Sequence, residues 1–247
     1  MGVKTVNFSD MALRTFTLWF VGLPVTAMLF LLVLATLPFD RSGAAIHSIA
    51  SFWCAIILKL AGVEVEVRGL HNVPSKGPVV FASNHQGIFD IPVLQAMIPI
   101  GFRWVAKESL FKIPVIGWTM GFAGYIAINR ESATRAFKSM EAAAEKIRSG
   151  TSVLVFPEGT RSKEAGVLPF KRGVFALATK SMAPLVPISI DGTRHIMKGT
   201  SPIIRPARVR VCVGKPIETD GVDEKALMDA AREAIIGGLG QLERDGK

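Results

Sequence analysis

The sequence predicts an α/β fold, a central sheet flanked by helices, with a membrane-associated two-helix hairpin ahead of it. Three observations carry this. From residue 62 onward short apolar runs alternate with helical segments, the pattern of an α/β sandwich. Residues 15–39, TFTLWFVGLPVTAMLFLLVLATLPF, contain no charged side chain. The mean hydropathy of the 247-residue chain, +0.38, is high for a soluble protein and points to membrane contact.

As one helix, the uncharged run would reach about 37 Å, enough to cross a hydrocarbon core of roughly 30 Å. It is too long for a cleaved signal peptide. Pro24 predicts a kink within it. A turn at Asp40-Arg41-Ser42-Gly43 follows, then AAIHSIASFWCAIILKL, where His47, Ser51, Ala55 and Lys59 recur every fourth residue and mark a polar or small face. This second helix is too short and too polar to cross comfortably, so the pair reads as a hairpin dipped into one leaflet ahead of a spanning one. Two core helices of a soluble domain are the plain alternative. Trp19, Phe20, Phe52 and Trp53 suit interfacial anchors or core packing equally. The hairpin is assigned to residues 1–61 and the α/β domain to residues 62–247.

Seven runs read as strands. VEVEVR (63–68) alternates like a half-exposed strand. VVFAS (79–83), FRWVA (102–106), YIAIN (125–129), SVLVF (152–156) and PLVPISI (184–190) suit a central sheet, and ARVRVCVG (207–214) an edge or one-sided strand. One helix starts at Ser132 as N-cap, presents Phe137, Met140, Ala144 and Ile147 on one face, and stops at Gly150. A last helix runs from about Val222 with Met228, Ala231, Ile235 and Leu239 on one side.

The net charge of +9 and pI near 9.8 favour anionic partners such as lipid head groups, phosphate substrates or an acidic carrier protein. The two cysteines, Cys54 and Cys212, have no metal-type spacing and read as buried thiols in a reduced compartment. The four histidines are scattered, with no HExxH, so metal catalysis finds no support. Nucleic-acid binding would call for basic residues interleaved with stacking aromatics, and Tyr125 is the sole tyrosine.

Polar islands stand at strand ends. Asn84-His85-Gln86-Gly87-Ile88-Phe89-Asp90 directly follows the strand 79–83. Asp90 precedes Ile91-Pro92 and is placed to cap the next helix. On one continuous helix His85 and Asp90 would diverge by about 140°, so His85 must sit on the loop and fold back. Phe156-Pro157-Glu158-Gly159-Thr160-Arg161-Ser162 follows another apolar strand, and an Arg there suits an oxyanion such as phosphate. Lys107, Arg130 and Lys171 add positive charge near strand exits. A salt-bridged surface turn and a helix cap remain the simpler explanations of these residues taken singly.

NHQGIFD, GYIAINR, FPEGTRS and the Val186-Pro187-Ile188 step, in this order across about residues 60 to 215, resemble the four blocks of the glycerolipid acyltransferases, specifically the 1-acylglycerol-3-phosphate acyltransferase family. HxxxxD alone is a weak signal; with FPEGTR about 70 residues on it is strong. The resemblance implies a mixed central sheet flanked by helices, and no metal or bound cofactor. It implies His85 and Asp90 as the catalytic pair. Lys107, Arg130 and Arg161 would hold a glycerol phosphate, Glu158 would arrange that pocket or meet a glycerol hydroxyl, and Gly159 and Thr160 would complete the substrate-binding turn. The chain departs from the family at Gly87, commonly Ser, and at Asn129, often Asp.

The implied reaction moves a fatty acyl group from acyl-CoA or acyl carrier protein to the sn-2 hydroxyl of lysophosphatidic acid, at the cytoplasmic side of the cell or inner membrane and against anionic lipids. Imidazole titrates near pH 6.5 and can take the hydroxyl proton as attack occurs, so no serine or cysteine nucleophile is needed. Alternatives are the same chemistry on glycerol 3-phosphate or a lyso-aminolipid, a hydrolase, and a non-catalytic basic membrane-tethered binding protein. No nucleic-acid partner is expected.

Overall fold

A computed structural model describes residues 7–129, 133–162, 166–199 and 201–244. Helices α1 (Phe8–Phe20) and α2 (Gly22–Thr36) form one bent apolar run of 29 residues, long and apolar enough to cross a membrane by length and composition. The run begins seven residues earlier than the uncharged stretch, because Asp10 and Arg14 pair across one turn and are accommodated in α1. The break at Val21 falls where Pro24 dictates: proline has no N–H for the Phe20 carbonyl and its ring presses on it. Helix α3 (Ala44–Leu60) then folds back on α2. Its first turn is capped by Asp40, whose carboxylate accepts from the amides of Ala44 and Ile46 at 3.1 and 2.9 Å.

The remaining elements are β1 (Val63–Arg68), β2 (Val80–Ser83), α4 (Asp90–Met97), β3 (Arg103–Lys107), α5 (Ile116–Phe122), β4 (Ile126–Ile128), α6 (Ala133–Arg148), β5 (Val153–Val155), α7 (Gly173–Ser181), β6 (Leu185–Asp191), β7 (Ala207–Val213) and α8 (Glu224–Arg244). All seven strands join one mixed sheet in the order β1-β7-β6-β2-β5-β3-β4. Every pairing is parallel except β6 with β7. The C-terminal ends of β6, β2, β5, β3 and β4 therefore share one edge of the sheet, where ligands bind in open α/β folds.

Side-chain alternation divides the core between the two faces. Phe81, Phe102, Trp104, Leu154, Val186 and Ile188 pack with Val93 and Leu94 of α4, Leu58 of α3 and Leu18 of α1. Val80, Ala82, Val105, Val153 and Val155 pack with α6, α7 and α8 through Ile147, Phe175, Leu177, Leu227 and Ala231.

Two open readings narrow, those of β7 and Trp53, and two expectations change, those of Cys212 and the α8 face. Strand β7 is not an edge: it lies between β1 and β6, and its alternation reflects one less covered face. Cys212 is half-buried on that face; Cys54 is buried, and burial pushes its thiol up. In α8 the buried face is Leu227, Ala231, Ile235, Gly238 and Leu242, so Met228 and Leu239 sit at its margin. Trp53 stitches the hairpin together, its Nε1 donating to Thr26 Oγ1 at 2.8 Å, as the packing reading had it. The proposed N-cap Ser132 lies outside the described residues.

The polar face of α3 turns inward at its first two positions. Gln95 of α4 donates to Ser51 Oγ at 2.8 Å and lies 3.3 Å from both ring nitrogens of His47. The Gln95 carbonyl accepts from Trp104 Nε1 at 2.6 Å and from the Tyr125 hydroxyl at 3.2 Å. A buried amide with all its groups engaged fixes α3 to the sheet. Phe52, on the opposite side of α3, is exposed.

Candidate active site

Strand β2 is buried along its whole length and delivers Asn84, His85 and Gln86 to the sheet edge. Two of the three turn away from the cleft. The Asn84 carboxamide accepts from the Ile190 amide at 2.8 Å and donates to the Ile190 carbonyl at 2.9 Å, behaving like one more rung between β2 and β6. Gln86 Oε1 accepts from the Gly192 amide at 3.2 Å. These bonds hold the loop against the exit of β6 and leave the His85 ring directed elsewhere.

His85 Nδ1 lies 2.6 Å from Asp90 Oδ2. The same oxygen accepts from the amides of Gln86 and Gly87 at 2.6 and 2.9 Å, and Asp90 Oδ1 accepts from the Thr193 hydroxyl. The Asp90 side chain is wholly buried, whereas that of His85 is 15% exposed. A carboxylate already taking two amide bonds is an acceptor, so Nδ1 carries the proton and Nε2 presents a lone pair. The loop does fold back, as the 140° argument requires, with about that angle separating the two positions on an ideal helix.

The capping role expected of Asp90 is not observed. It is the first residue of α4, and its carboxylate reaches backwards along the chain. The donors that a cap would need are missing: Pro92 has no N–H, and the Val93 amide is spent on the Phe89 carbonyl at 3.1 Å. The whole carboxylate is thereby free for the loop and the imidazole.

The turn after β5 supplies a floor and a brace. Phe156 stacks on the His85 ring with centroids 3.9 Å apart and planes 9° from parallel, and is backed by Trp104 at 5.5 Å. Glu158 is buried; Oε1 accepts from the His85 amide at 2.8 Å and Oε2 from the Leu168 amide at 3.0 Å. Burial holds the Glu158 carboxyl above the usual carboxylate range, against the pull of these two amides. Glu158 thus ties the loop at His85 to the segment at Leu168. The Ser162 amide returns a bond to the His85 carbonyl at 2.8 Å.

Gly159 is half-buried in the turn, and Thr160 and Arg161 are exposed beyond it. Lys107 ends β3, exposed, and Lys171 is exposed beside the turn through its amide bond to the Pro157 carbonyl, 2.9 Å. No ion pair engages the side chains of Lys107, Arg161 or Lys171 among the described residues. Arg130 lies outside the described residues. Asn129 Nδ2 donates to Glu108 Oε2, a bond an aspartate there could not make. Among the described residues no group of three or more His, Cys, Asp or Glu side chains is placed to hold a metal ion.

Sequence reasoning missed Asn84, Gln86, Phe156 and Thr193. The first three stand inside quoted motifs, so adjacency was the available signal. Thr193 had only its position two residues after β6.

A buried carboxylate behind an imidazole, at a sheet edge where Lys107, Arg161 and Lys171 stand exposed, is an arrangement able to take up and return a proton. The comparisons give this class its name. The acyltransferase family model matches residues 64–191, just over half of the chain, and the chain belongs to that family. It is 37% identical over 200 residues to a chloroplastic 1-acyl-sn-glycerol-3-phosphate acyltransferase of Brassica napus, a match covering 80% of this chain and 57% of the relative. It is 34% identical over 192 residues to the mouse 1-acyl-sn-glycerol-3-phosphate acyltransferase alpha, covering 76% and 67%. The fold is also that of the 1-acyl-sn-glycerophosphate (LPA) acyltransferase PlsC from Thermotoga maritima: TM-score 0.82 at 25% identity, over 95% of this chain and 97% of that one. The chain spans between half and two-thirds of the length of the plant and algal relatives it matches.

Proposed function

We propose that the protein transfers a fatty acyl group from an acyl thioester to the free sn-2 hydroxyl of 1-acylglycerol 3-phosphate, giving phosphatidic acid. The observation that carries this reading is the His85–Asp90 pair, with its imidazole exposed on one side only and its carboxylate fully sequestered. The names of the relatives supply the acceptor.

In this reading His85 Nε2 takes the proton of the acceptor hydroxyl as its oxygen attacks the thioester carbonyl. Asp90 holds the ring orientation and stabilises the imidazolium. The tetrahedral adduct collapses with loss of the thiolate, which takes the proton back from His85 and leaves as a thiol. The nucleophile belongs to the substrate, so no acyl-enzyme forms. Lys107 and Arg161 grip the phosphate, with Arg130 as a third cation; an Arg can offer two parallel donors to one phosphate. Gly159 and Thr160 form the turn that presents Arg161. The donor carrier is acyl-CoA, acyl carrier protein or both.

Residues 1–61 serve as the membrane anchor and hold the site at the cytoplasmic face of the cell or inner membrane. Both substrate and product carry long acyl chains, and withdrawing them from lipid would cost about 0.8 kcal/mol per CH₂. Phe8, Phe16, Phe20, Leu31 and Phe52 are exposed on the hairpin and suit lipid contact.

The test is incubation of purified protein with lysophosphatidate and either acyl-CoA or acyl carrier thioester, with products identified by mass spectrometry. Phosphatidic acid and free thiol should appear in equal amounts, and His85→Ala should abolish both while leaving lysophosphatidate binding nearly intact. Free fatty acid in place of phosphatidic acid would make the protein a hydrolase, and faster acylation of glycerol 3-phosphate would change the acceptor.

A further inference from the structure

We infer that Thr193 is a positioning residue for the His85–Asp90 pair, and that residue 87 is a glycine so that Thr193 can reach it. The inference rests on the reading of His85 as the base. Its starting point is an asymmetry in how Asp90 is held. Oδ2 accepts three bonds, all from the loop 85–87, whereas the partner of Oδ1 among the described residues is the Thr193 hydroxyl, from a segment 103 residues away in sequence. The torsion that turns a carboxylate about its own axis is broad and two-fold, so anchoring one oxygen leaves the plane of the group free to rock. A donor on the second oxygen fixes that plane, and with it the direction from which His85 Nδ1 is met.

Thr193 is built for this. It is buried at 1% exposure, directly after the turn that ends β6. Gly192 makes the turn with φ of 101°, and a Cβ there would lie 2.4 Å from the Arg208 carbonyl oxygen, so no larger residue could bring the chain so close. The Gly192 amide is itself bonded to Gln86. Threonine is stiff at χ1, which keeps its hydroxyl aimed once the backbone is set.

Gly87 completes the device. A Cβ at position 87 would stand 3.1 Å from the Thr193 carbonyl oxygen and 3.3 Å from its carbonyl carbon. A side chain there would require the Thr193 backbone to give by a few tenths of an ångström, in the segment that carries the bond to Asp90. The departure at Gly87 therefore has its counterpart in the turn after β6. The chain lacks a hydroxyl at 87, and the Asp90 carboxylate receives one from 193.

The test compares Thr193→Val, which keeps shape and removes the hydroxyl, with Thr193→Ser, which keeps the hydroxyl, in the purified full-length protein in detergent. Thr193→Val should lower kcat on the order of 10- to 100-fold, the scale of small misplacements in a reacting pair. KM for lysophosphatidate and for the acyl thioester should stay within about twofold, because the hydroxyl touches neither. Thr193→Ser should recover most of the lost kcat, and Gly87→Ala, which removes no polar group, should lower kcat in the same sense. If the valine protein does not fold, Thr193→Ala carries the same comparison. Turnover of Thr193→Val equal to the parent overturns the inference, as does a loss that serine fails to restore. A His85→Ala protein that keeps its turnover overturns the base assignment beneath it, so the two failures read separately.

Discussion

Asp90 reaches back over the start of its own helix to meet His85 at 2.6 Å, and every other bond it makes comes from backbone amides or from Thr193. Among the described residues no other side chain bonds to the carboxylate. Asp90→Asn preserves size and can still accept on one oxygen, but removes the charge that offsets the imidazolium. It should lower kcat between about 10²- and 10⁴-fold with substrate binding little changed. Steady-state kinetics at several pH values check this, and a variant retaining kcat would show that the charge is not used.

The exposed cations at the strand exits lead to a different kinetic signature. Lys107→Ala and Arg161→Ala should each raise KM for lysophosphatidate by roughly tenfold or more, the worth of one charge-assisted hydrogen bond, with a smaller change in kcat. Arg161→Lys should recover only part, because an ammonium cannot offer two parallel donors. The same comparison with an uncharged monoacylglycerol acceptor should show no difference between variant and parent.

Asn129 and Glu108 give a stability prediction. Asn129→Asp would set a carboxylate against Glu108 in place of a donor. Both groups reach solvent, so the cost should be modest, about 1 kcal/mol or less. It should appear as a lower Tm at low salt that converges on the parent as salt is raised. Equal melting at low salt would show that the pair moves apart without cost.

His47 makes stability depend on pH. Burial, with a smaller contribution from the nearby Arg103 charge, lowers its pKa from 6.5 to about 4. Its surroundings, Gln95, Tyr125 and Phe102, offer no carboxylate to the charged ring. The unfolded chain gains the proton first as pH falls below about 6.5, so folding weakens from there down to about pH 4, by up to ~3 kcal/mol. Denaturant titrations across this range should show a shallower slope for His47→Gln than for the parent. Identical slopes would place the pH dependence elsewhere.

The fold was legible because strand runs are short, apolar and separated by helices with clear periodicity. All seven were locatable from VEVEVR, VVFAS and their successors, but their order was not: sequence marks which residues are buried, not which strand lies beside which, and the alternation of β7 left an edge and a one-sided interior strand equally open for that reason. His85, Asp90 and the FPEGTR turn were legible as motifs. The bonds between them were not. Asn84 and Gln86 look like site groups and prove to be clamps onto β6, and Asp90 looks like a cap. Pro92 was a clue against the cap, since it removes one of the two amides a cap could bind. Thr193 and Phe156 act through contacts across strands, and no local pattern announces such contacts.

The inward turn of His47 and Ser51 has a practical consequence for anyone wishing to handle this protein without lipid. Deleting residues 1–61 would strip Leu18, Leu58 and Ala61 from the same apolar cluster that contains Phe102 and Trp104, and would leave the Gln95 amide facing empty space. The trimmed chain should precipitate rather than dissolve. The hairpin is a wall of the building, and solubility is better sought by recolouring its outer side, at Phe16, Phe20 and Phe52, than by cutting it away.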